Sequence, residues 1–285
     1  MIPRHTLAAI LALTGAPALA APLSIVADTP LTAALVEAVA GPDHEVTALL
    51  PEAADPHHAA LRPSQARALA GADLVVANGA GLTPWLDRAT AALGDGRYVE
   101  IAAIDGVSVQ IGDGTDPHLW LDPANGAAAL AGLAAALGAL DPDAAEGFAA
   151  RADAAAAEVA GAAAQARDRI AGAGDDAALI AVHDAWGHAR EALALGVVAA
   201  VQDGEGDAPG AAGLSALREL IANGGTHCLI AAPGEEAEEA RRLSATLDLP
   251  VVTAPIMGEA GLTGTERYLS VFHGLADAVE SCARG

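Results

Sequence analysis

Three histidines each follow an apolar run that we predict to be a β-strand: His57, His118 and His183. Asp-Pro precedes the first two, as Asp55-Pro56 and Asp116-Pro117, and proline restricts the residue before it to extended geometry. Ligands of open α/β sheets bind at the carboxyl ends of strands, so we expect these side chains at one site. Neutral imidazole is a natural ligand of zinc and its first-row neighbours. The sequence therefore predicts a transition-metal site, with His58 as the alternative to His57.

The sequence lacks the short motifs of zinc proteases, zinc knuckles, serine hydrolases and phosphate-loop proteins. It has no HExxH, no paired CxxC and no GxSxG, and a chain without lysine cannot form a GxxxxGK(S/T) phosphate loop. Three histidines plus a water are also the pattern of a zinc hydrolase, for which Asp184 or Asp116 could be the base. Nothing in the sequence marks a substrate pocket, so a hydrolase stays an alternative to a binding protein.

Short apolar runs alternate with alanine-rich helical stretches along the chain. Strands are predicted at 23–27, 46–50, 73–77, 98–101 and 107–111 in the first half, and at 178–182, 228–231 and 251–253 in the second. Continuous apolar strands separated by helices are typical of a parallel sheet flanked by helices. The predicted fold class is therefore α/β. The segment 199–213, rich in Gly and Asp, is predicted to be a loop.

The middle of the chain predicts one long, rigid helix between two lobes. Asp141-Pro142 is a typical helix start, and alanine dominates from there to Ala171. Phe148, Val159 and Ile170 recur every eleven residues and so share one stripe. About thirty residues at 1.5 Å each give a rod of ~45 Å, which suits a connector. We predict an N-terminal α/β lobe at 21–140, a linking helix at 141–172 and a C-terminal α/β lobe at 173–285.

The N-terminus predicts export to the periplasm. An apolar stretch, Leu7–Leu13, is followed by the small-x-small cleavage site Ala18-Leu19-Ala20, so residues 1–20 are predicted to be a signal peptide. In that oxidising compartment Cys228 and Cys282 are expected to form a disulfide, with two buried thiols as the alternative. The formal net charge of −23 argues against binding to nucleic acid or to an anionic membrane surface.

Five motifs resemble, in this order, those of one family: Asp55-Pro56-His57, Leu61-Arg62-Pro63-Ser64, Ala72-Asp73-Leu74-Val75-Val76, Asp116-Pro117-His118-Leu119-Trp120-Leu121-Asp122-Pro123 and His183-Asp184-Ala185-Trp186-Gly187. The family is the cluster A-I substrate-binding proteins of ABC importers, specifically the periplasmic zinc-binding type. The resemblance covers nearly the whole mature chain, including the two cysteines. It implies two α/β lobes joined by one long helix, with metal in the cleft between them. It also implies that His57, His118 and His183 are the ligands.

The resemblance implies a function as well. The chain is expected to be a monomeric, non-enzymatic receptor that captures Zn²⁺ as its transported ligand and delivers it to the membrane permease of an ABC importer. Manganese-type relatives usually carry a carboxylate at the place of His183, and an imidazole there fits zinc better than manganese. The alternatives are the same scaffold serving manganese or iron, the zinc hydrolase, and a structural or adhesive surface protein without metal.

Two departures from the family pattern leave the fourth ligand open. Ala254-Pro255 stands where the family often has Asp-Pro. The histidine-rich loop common in zinc members is absent, since the segment 105–115 is short, acidic and free of histidine. Water or a carboxylate could complete a tetrahedron around the ion. The candidate carboxylates are those of Glu235, Glu236 and Glu259.

Overall fold

Two parallel β-sheets of four strands each, flanked by helices, make up the protein, which confirms the predicted α/β class. The computed structural model describes residues 21–52, 54–94, 96–110, 114–174, 177–202, 211–223 and 226–285. The signal peptide predicted at 1–20 lies outside these residues. The N-terminal half of the chain forms one sheet and the C-terminal half forms the other.

The N-terminal sheet has the strand order β2-β1-β3-β4, and every neighbouring pair is parallel. Its strands are β1 (Ser24–Ala27), β2 (Glu45–Ala48), β3 (Leu74–Ala77) and β4 (Tyr98–Glu100). The helices of this half are α1 (Pro30–Ala40), α2 (Pro63–Gly71), α3 (Asp87–Thr90) and α4 (Pro123–Leu140). Alternate residues of β3 belong to two different apolar clusters, because helices cover both faces of the sheet. Such a strand is therefore apolar at every position.

The strand predicted at 107–111 is wrong over the described residues 107–110. The side chain of Asn125 takes the place of a neighbouring strand. The amide N of Ser108 donates to Asn125 Oδ1 at 2.7 Å, and Asn125 Nδ2 donates to the carbonyl of Ser108 at 2.9 Å. One amide side chain thus satisfies the backbone groups that a sheet would otherwise pair.

The long helix α5 (Ala145–Gly172) follows, and its 28 residues span about 42 Å. It begins at Ala145 and not at Asp141, because Asp141 is the C-cap of α4. Phe148, Val159 and Ile170 are all buried, as their spacing predicts. The lobe and linker boundaries at 140 and 172 remain predictions.

Helix α4 has the length and composition of a membrane span: 18 residues with a mean hydropathy of 1.4. Its leucines Leu130, Leu133 and Leu137 are buried in the main apolar core, and the helix packs against α1 and α5. A core helix has the same composition as a membrane span when neighbours cover its apolar side. We therefore interpret α4 as a core helix.

The C-terminal sheet has the strand order β6-β5-β7-β8, again with every pair parallel. Its strands are β5 (Ala177–His183), β6 (Val197–Gln202), β7 (Thr226–Ala231) and β8 (Val251–Thr253). Its helices are α6 (Gly187–Leu193), α7 (Ala211–Ala222), α8 (Glu235–Leu247) and α9 (Gly264–Arg284). The loop predicted at 199–213 is wrong at both of its described ends, since 199–202 belong to β6 and 211–213 to α7. Residues 203–210 lie outside the described part of the chain.

The last helix, α9, contacts both halves of the protein, since it packs against α1 and α5 as well as against three strands of the second sheet. Tyr268 Oη donates to the carbonyl of Trp120 at 2.7 Å. Gly126 leaves room for this contact, because a Cβ there would lie 2.1 Å from Tyr268 Oη. Trp120 Nε1 in turn donates to the carbonyl of Ile256 at 2.7 Å. The two halves are thus joined by specific hydrogen bonds beside the cleft.

A disulfide joins Cys228 in β7 to Cys282 in α9, as predicted from the count and the compartment. Cys228 pairs in register with Leu179 of β5. Cys282 lies two residues before the end of α9. The bond therefore fixes the end of the last helix to the second sheet.

Candidate metal centre

The three predicted ligands lie together in the cleft between the two sheets. His57 comes from the loop after β2, His118 from the turn before α4, and His183 from the end of β5. One ring nitrogen of each lies within 4.8 Å of the others, and the ring centroids are 5.3–5.6 Å apart. Nitrogens bound to one tetrahedral zinc ion are about 3.3 Å apart. The cluster therefore needs a contraction of at most about 1.5 Å to hold one ion.

Asp116 orients the ring of His118. Its Oδ1 accepts hydrogen bonds from His118 Nδ1 at 2.8 Å and from the amide N of His118 at 3.0 Å. A proton on Nδ1 leaves the lone pair of Nε2 for a metal. Burial opposes ionisation of Asp116, but the bonds from His118 outweigh it and hold the pKa of this carboxyl below its usual range. Gly187 leaves space for Asp116, because a Cβ there would lie 2.4 Å from Asp116 Oδ2.

The buried carboxylate of Asp28 stabilises the turn that carries His118. Asp28 Oδ2 accepts hydrogen bonds from the amide N of Asn78 at 2.9 Å and from Thr83 Oγ1 at 3.1 Å. Asn78 Nδ2 then donates to the carbonyl of Pro117 at 2.8 Å. Burial raises the pKa of Asp28, although each of these donors favours its ionised form. The network fixes the backbone next to His118 to the ends of β1 and β3.

His57, and not His58, joins the cluster. The amide N of His57 donates to Asp55 Oδ1 at 2.8 Å, and Trp85 Nε1 donates to the carbonyl of Pro56 at 2.8 Å. The side chain of His58 is 68% exposed, and its Nδ1 pairs with Asp55 Oδ2 at 2.9 Å. Asp55 therefore holds the loop so that one histidine faces the cleft and its neighbour faces solvent.

His183 owes its place to the backbone of β5. It is the last residue of the strand and pairs in register with Gln202 of β6. Its carbonyl accepts a hydrogen bond from the amide N of Ala185 at 2.8 Å, so the chain turns directly after it. The four strand residues before it, 179–182, are fully buried, whereas His183 itself is half-buried and lines the cleft cavity.

Comparison with known proteins identifies the family of the chain. Residues 25–282 match the family described as "Zinc-uptake complex component A periplasmic" (ZnuA). The chain belongs to this family. A high-affinity zinc uptake system protein ZnuA of Paracoccus denitrificans is 34% identical over 97% of this chain and 96% of its own length. A manganese-binding lipoprotein MntA of Halalkalibacterium halodurans is 35% identical over 46% of this chain and 44% of its own.

Solved structures show the same fold in other proteins. The periplasmic zinc-binding protein TroA of Treponema pallidum superposes with a TM-score of 0.81 at 19% identity, covering 92% of this chain and 99% of its own. At this identity the likeness concerns the fold alone. The crystal structure of ZnuA superposes with a TM-score of 0.77 at 20% identity, covering 93% of this chain and 99% of its own, so the two-lobed α/β fold predicted from the sequence is confirmed.

A tetrahedral zinc ion would need a fourth ligand beyond the three imidazoles. Among the described residues, no carboxylate joins the three imidazoles. Glu235 and Glu236 line the cleft cavity of about 500 Å³, whereas Glu259 is outside its lining, and Ala254 offers no donor. One oxygen of Glu236 is buried without a hydrogen-bond partner, and burial raises its pKa to about 7. That water or one of these carboxylates completes the tetrahedron around a bound ion stays a prediction.

Proton competition should set the pH dependence of metal binding. Burial, followed by repulsion from His118, holds the pKa of His57 below its ordinary 6.5, so His57 is neutral at pH 7. As the pH falls through this lowered pKa, protons compete with the metal, and affinity for Zn²⁺ is expected to fall below about pH 6. Titration against a competing chelator at several pH values measures the change. Affinity at pH 5 equal to that at pH 7 would contradict ligation by histidine.

Trp120 should report metal binding. Its ring centroid lies 5.5 Å from that of His118, and it is 4% exposed. A cation bound to His118 changes the electric field at the indole, so saturating Zn²⁺ is expected to alter the intrinsic fluorescence. The Trp186→Phe variant should keep most of the change. An emission spectrum of the parent protein that does not change at saturating Zn²⁺ would contradict the placement of Trp120.

Proposed function

We propose that this protein is a periplasmic receptor that captures Zn²⁺ in its cleft and delivers it to the membrane permease of an ABC importer. The observation that carries the proposal is the cluster of His57, His118 and His183, in which one ring nitrogen of each lies within 4.8 Å of the others. Membership of the zinc-uptake family and the full-length similarity to the Paracoccus protein support the transport role. The ion is the substrate of transport and not a resident cofactor.

The donor set favours zinc over manganese. Three neutral nitrogen donors suit a borderline cation, whereas manganese prefers carboxylate and carbonyl oxygens. Within the described ranges the metal cluster contains imidazoles only. Manganese is the second candidate, because a manganese-binding relative is 35% identical over 46% of the chain.

We further propose that the protein catalyses no reaction, acts as a monomer and binds no nucleic acid. A hydrolase needs a base beside the metal-bound water. Neither Asp116 nor Asp184 is among the residues that line the cleft cavity; Asp116 is bonded to His118, and Asp184 is exposed. The formal net charge of −23 opposes contact with a phosphate backbone.

Equilibrium dialysis against Zn²⁺ and Mn²⁺ at buffered free concentrations tests the function. We expect one zinc ion per chain and no displacement of zinc by an equal concentration of manganese. Preferential binding of manganese would select the second candidate. Absence of both metals from the dialysed protein would overturn the proposal.

Export is tested separately, by the mass of the protein recovered from a periplasmic extract. We expect a chain that begins at Ala21, which corresponds to cleavage after Ala20. An uncleaved chain in the cytoplasm would contradict this part of the proposal.

A further inference from the structure

The loop that carries His57 has little secondary structure to fix it. Between β2 and α2 the described residues form neither helix nor strand, so side-chain contacts must determine where His57 lies. Two side chains of the N-terminal lobe contact the loop: Gln65 Nε2 donates to the carbonyl of Leu49 at 2.6 Å, and Trp85 Nε1 donates to the carbonyl of Pro56. These contacts attach the loop to its own lobe but not to the lobe that carries His183.

An ion pair between Glu52 and Arg267 connects the loop to the other lobe. Arg267 lies in α9 and is 3% exposed. Its Nη1 donates to Glu52 Oε1 at 2.9 Å, and its Nη2 donates to Glu52 Oε2, so the pair is bidentate. The sequence separation of the two residues is 215. A bidentate pair fixes direction as well as distance, which a single contact does not.

The same guanidinium also fixes the segment between β8 and α9. Nε donates to the carbonyl of Met257 at 2.9 Å, and Nη1 donates to the carbonyl of Leu262 at 3.2 Å. Gly258 packs so closely that a Cβ there would lie 2.5 Å from the carbonyl O of Arg267. Glu52 and Met257 both line the cleft cavity beside His57. The ion pair thus joins two cleft walls that belong to different lobes.

We propose that Glu52 and Arg267 are positioning residues that hold His57 within reach of His118 and His183 and so set the lifetime of the bound metal. The inference rests on the proposed function, in which these histidines bind Zn²⁺. Without the pair, the part of the loop before His57 is held only by contacts within its own lobe, and the position of His57 relative to His183 varies more. The metal ion then stays bound to His118 and His183, whereas His57 is bound to it only part of the time.

A matched control is available on the same helix. Arg169 of α5 makes a bidentate pair with Glu280 of α9, with Nε···Oε1 at 2.7 Å and Nη2···Oε2 at 2.9 Å. Glu280 is absent from the lining of the cleft cavity. Loss of Glu280 removes a bidentate partner of an arginine of α5 without touching the His57 loop, and Arg169 keeps its bond to Asp277. Glu52→Ala and Glu280→Ala therefore form the comparison, with Glu52→Gln as the milder change, because an amide oxygen still accepts one bond from Arg267.

The experiment measures zinc dissociation into excess chelator, the d–d absorption of the Co²⁺-substituted protein, and thermal unfolding of the metal-free protein. We expect Glu52→Ala to release zinc at least roughly tenfold faster. Loss of a contact that orients a metal ligand typically lowers metal affinity by about 10- to 100-fold, and tenfold is the lower end of that range. Its Co²⁺ spectrum should lose tetrahedral intensity. Glu52→Gln should fall between Glu52→Ala and the parent, and Glu280→Ala should match the parent in rate and spectrum.

The outcomes separate this inference from the function on which it rests. A parent that binds no zinc overturns the proposed function and the inference with it. A parent that binds zinc, together with Glu52→Ala and Glu52→Gln variants that release it at the parental rate, overturns only the inference. Faster release in Glu280→Ala with the same loss of thermal stability would also overturn it, since the effect would then follow stability and not the position of His57. If Glu52→Ala fails to fold, the rate and spectrum of Glu52→Gln decide.

Discussion

Replacement of His118 by alanine is expected to lower zinc affinity by at least about a hundredfold, the upper end of what the loss of a contact that only orients a ligand causes. The imidazole is 3% exposed, and Asp116 holds its ring, so no other side chain can take over its position without rearrangement. The substitution also leaves the partly buried carboxylate of Asp116 without its main partner. Competition with a chelator of known affinity measures the loss, with circular dichroism to confirm folding.

Two other histidines serve as controls for this experiment. His58→Ala removes the exposed neighbour of His57 and should change affinity only a few-fold, because its ring points to Asp55 and solvent. His273→Ala removes an exposed histidine of α9 and should have no effect. Parental affinity in the His118→Ala protein would mean that the site is misassigned. If His58→Ala lowered zinc affinity more than His57→Ala, His58 and not His57 would be the ligand.

The sequence predicts the central strands well because both of their faces are buried. Such strands, β3 for example, are apolar at every position and are easily distinguished from helices by their length. The edge strand β6 was missed although 197–201 is an unbroken apolar run. The loop predicted from the Gly- and Asp-rich composition of 199–213 began inside this run and divided it. Helix α5 was placed correctly except for its first turn, where Asp141 caps the preceding helix instead.

The candidate site was predictable to the extent that it depends on local chain geometry. His57 follows β2 and His183 ends β5, as expected of ligands at strand ends. These two strands lie in different sheets, however, and residues 107–110 before His118 form no strand, so the complete cluster was implied only by the family resemblance. The contacts that hold the cluster were not predictable in this way. The sequence predicts only that Pro117 restricts the backbone of Asp116, whereas the hydrogen bond between Asp116 and the ring of His118 depends on side-chain rotamers. The pair of Glu52 and Arg267 joins residues 215 positions apart, and no local pattern marks such a pair.

Loss of the disulfide should produce the largest change in stability. Cys228 and Cys282 close a loop with a sequence separation of 54, and cross-linking such a loop stabilises the folded state by about 4 kcal/mol in the chain-entropy model. The double variant Cys228→Ala/Cys282→Ala is therefore expected to unfold at a temperature lower by roughly 10 °C. Thermal unfolding of the metal-free protein measures the shift, and the reduced parent should show the same shift without any substitution.

Zinc affinity should survive this loss within a few-fold. Cys228 pairs with Leu179 of β5, and His183 lies four residues further along that strand, so the bond is about 13 Å from the nearest ligand. The disulfide fixes the C-terminal end of α9, whereas Arg267 and Tyr268 near its start make the contacts beside the cleft. Two free thiols in unreduced periplasmic protein would contradict the bond itself. A folded, reduced protein that no longer binds zinc would show that the end of α9 controls the cleft, because release of Cys282 would then reach the metal through the length of the helix.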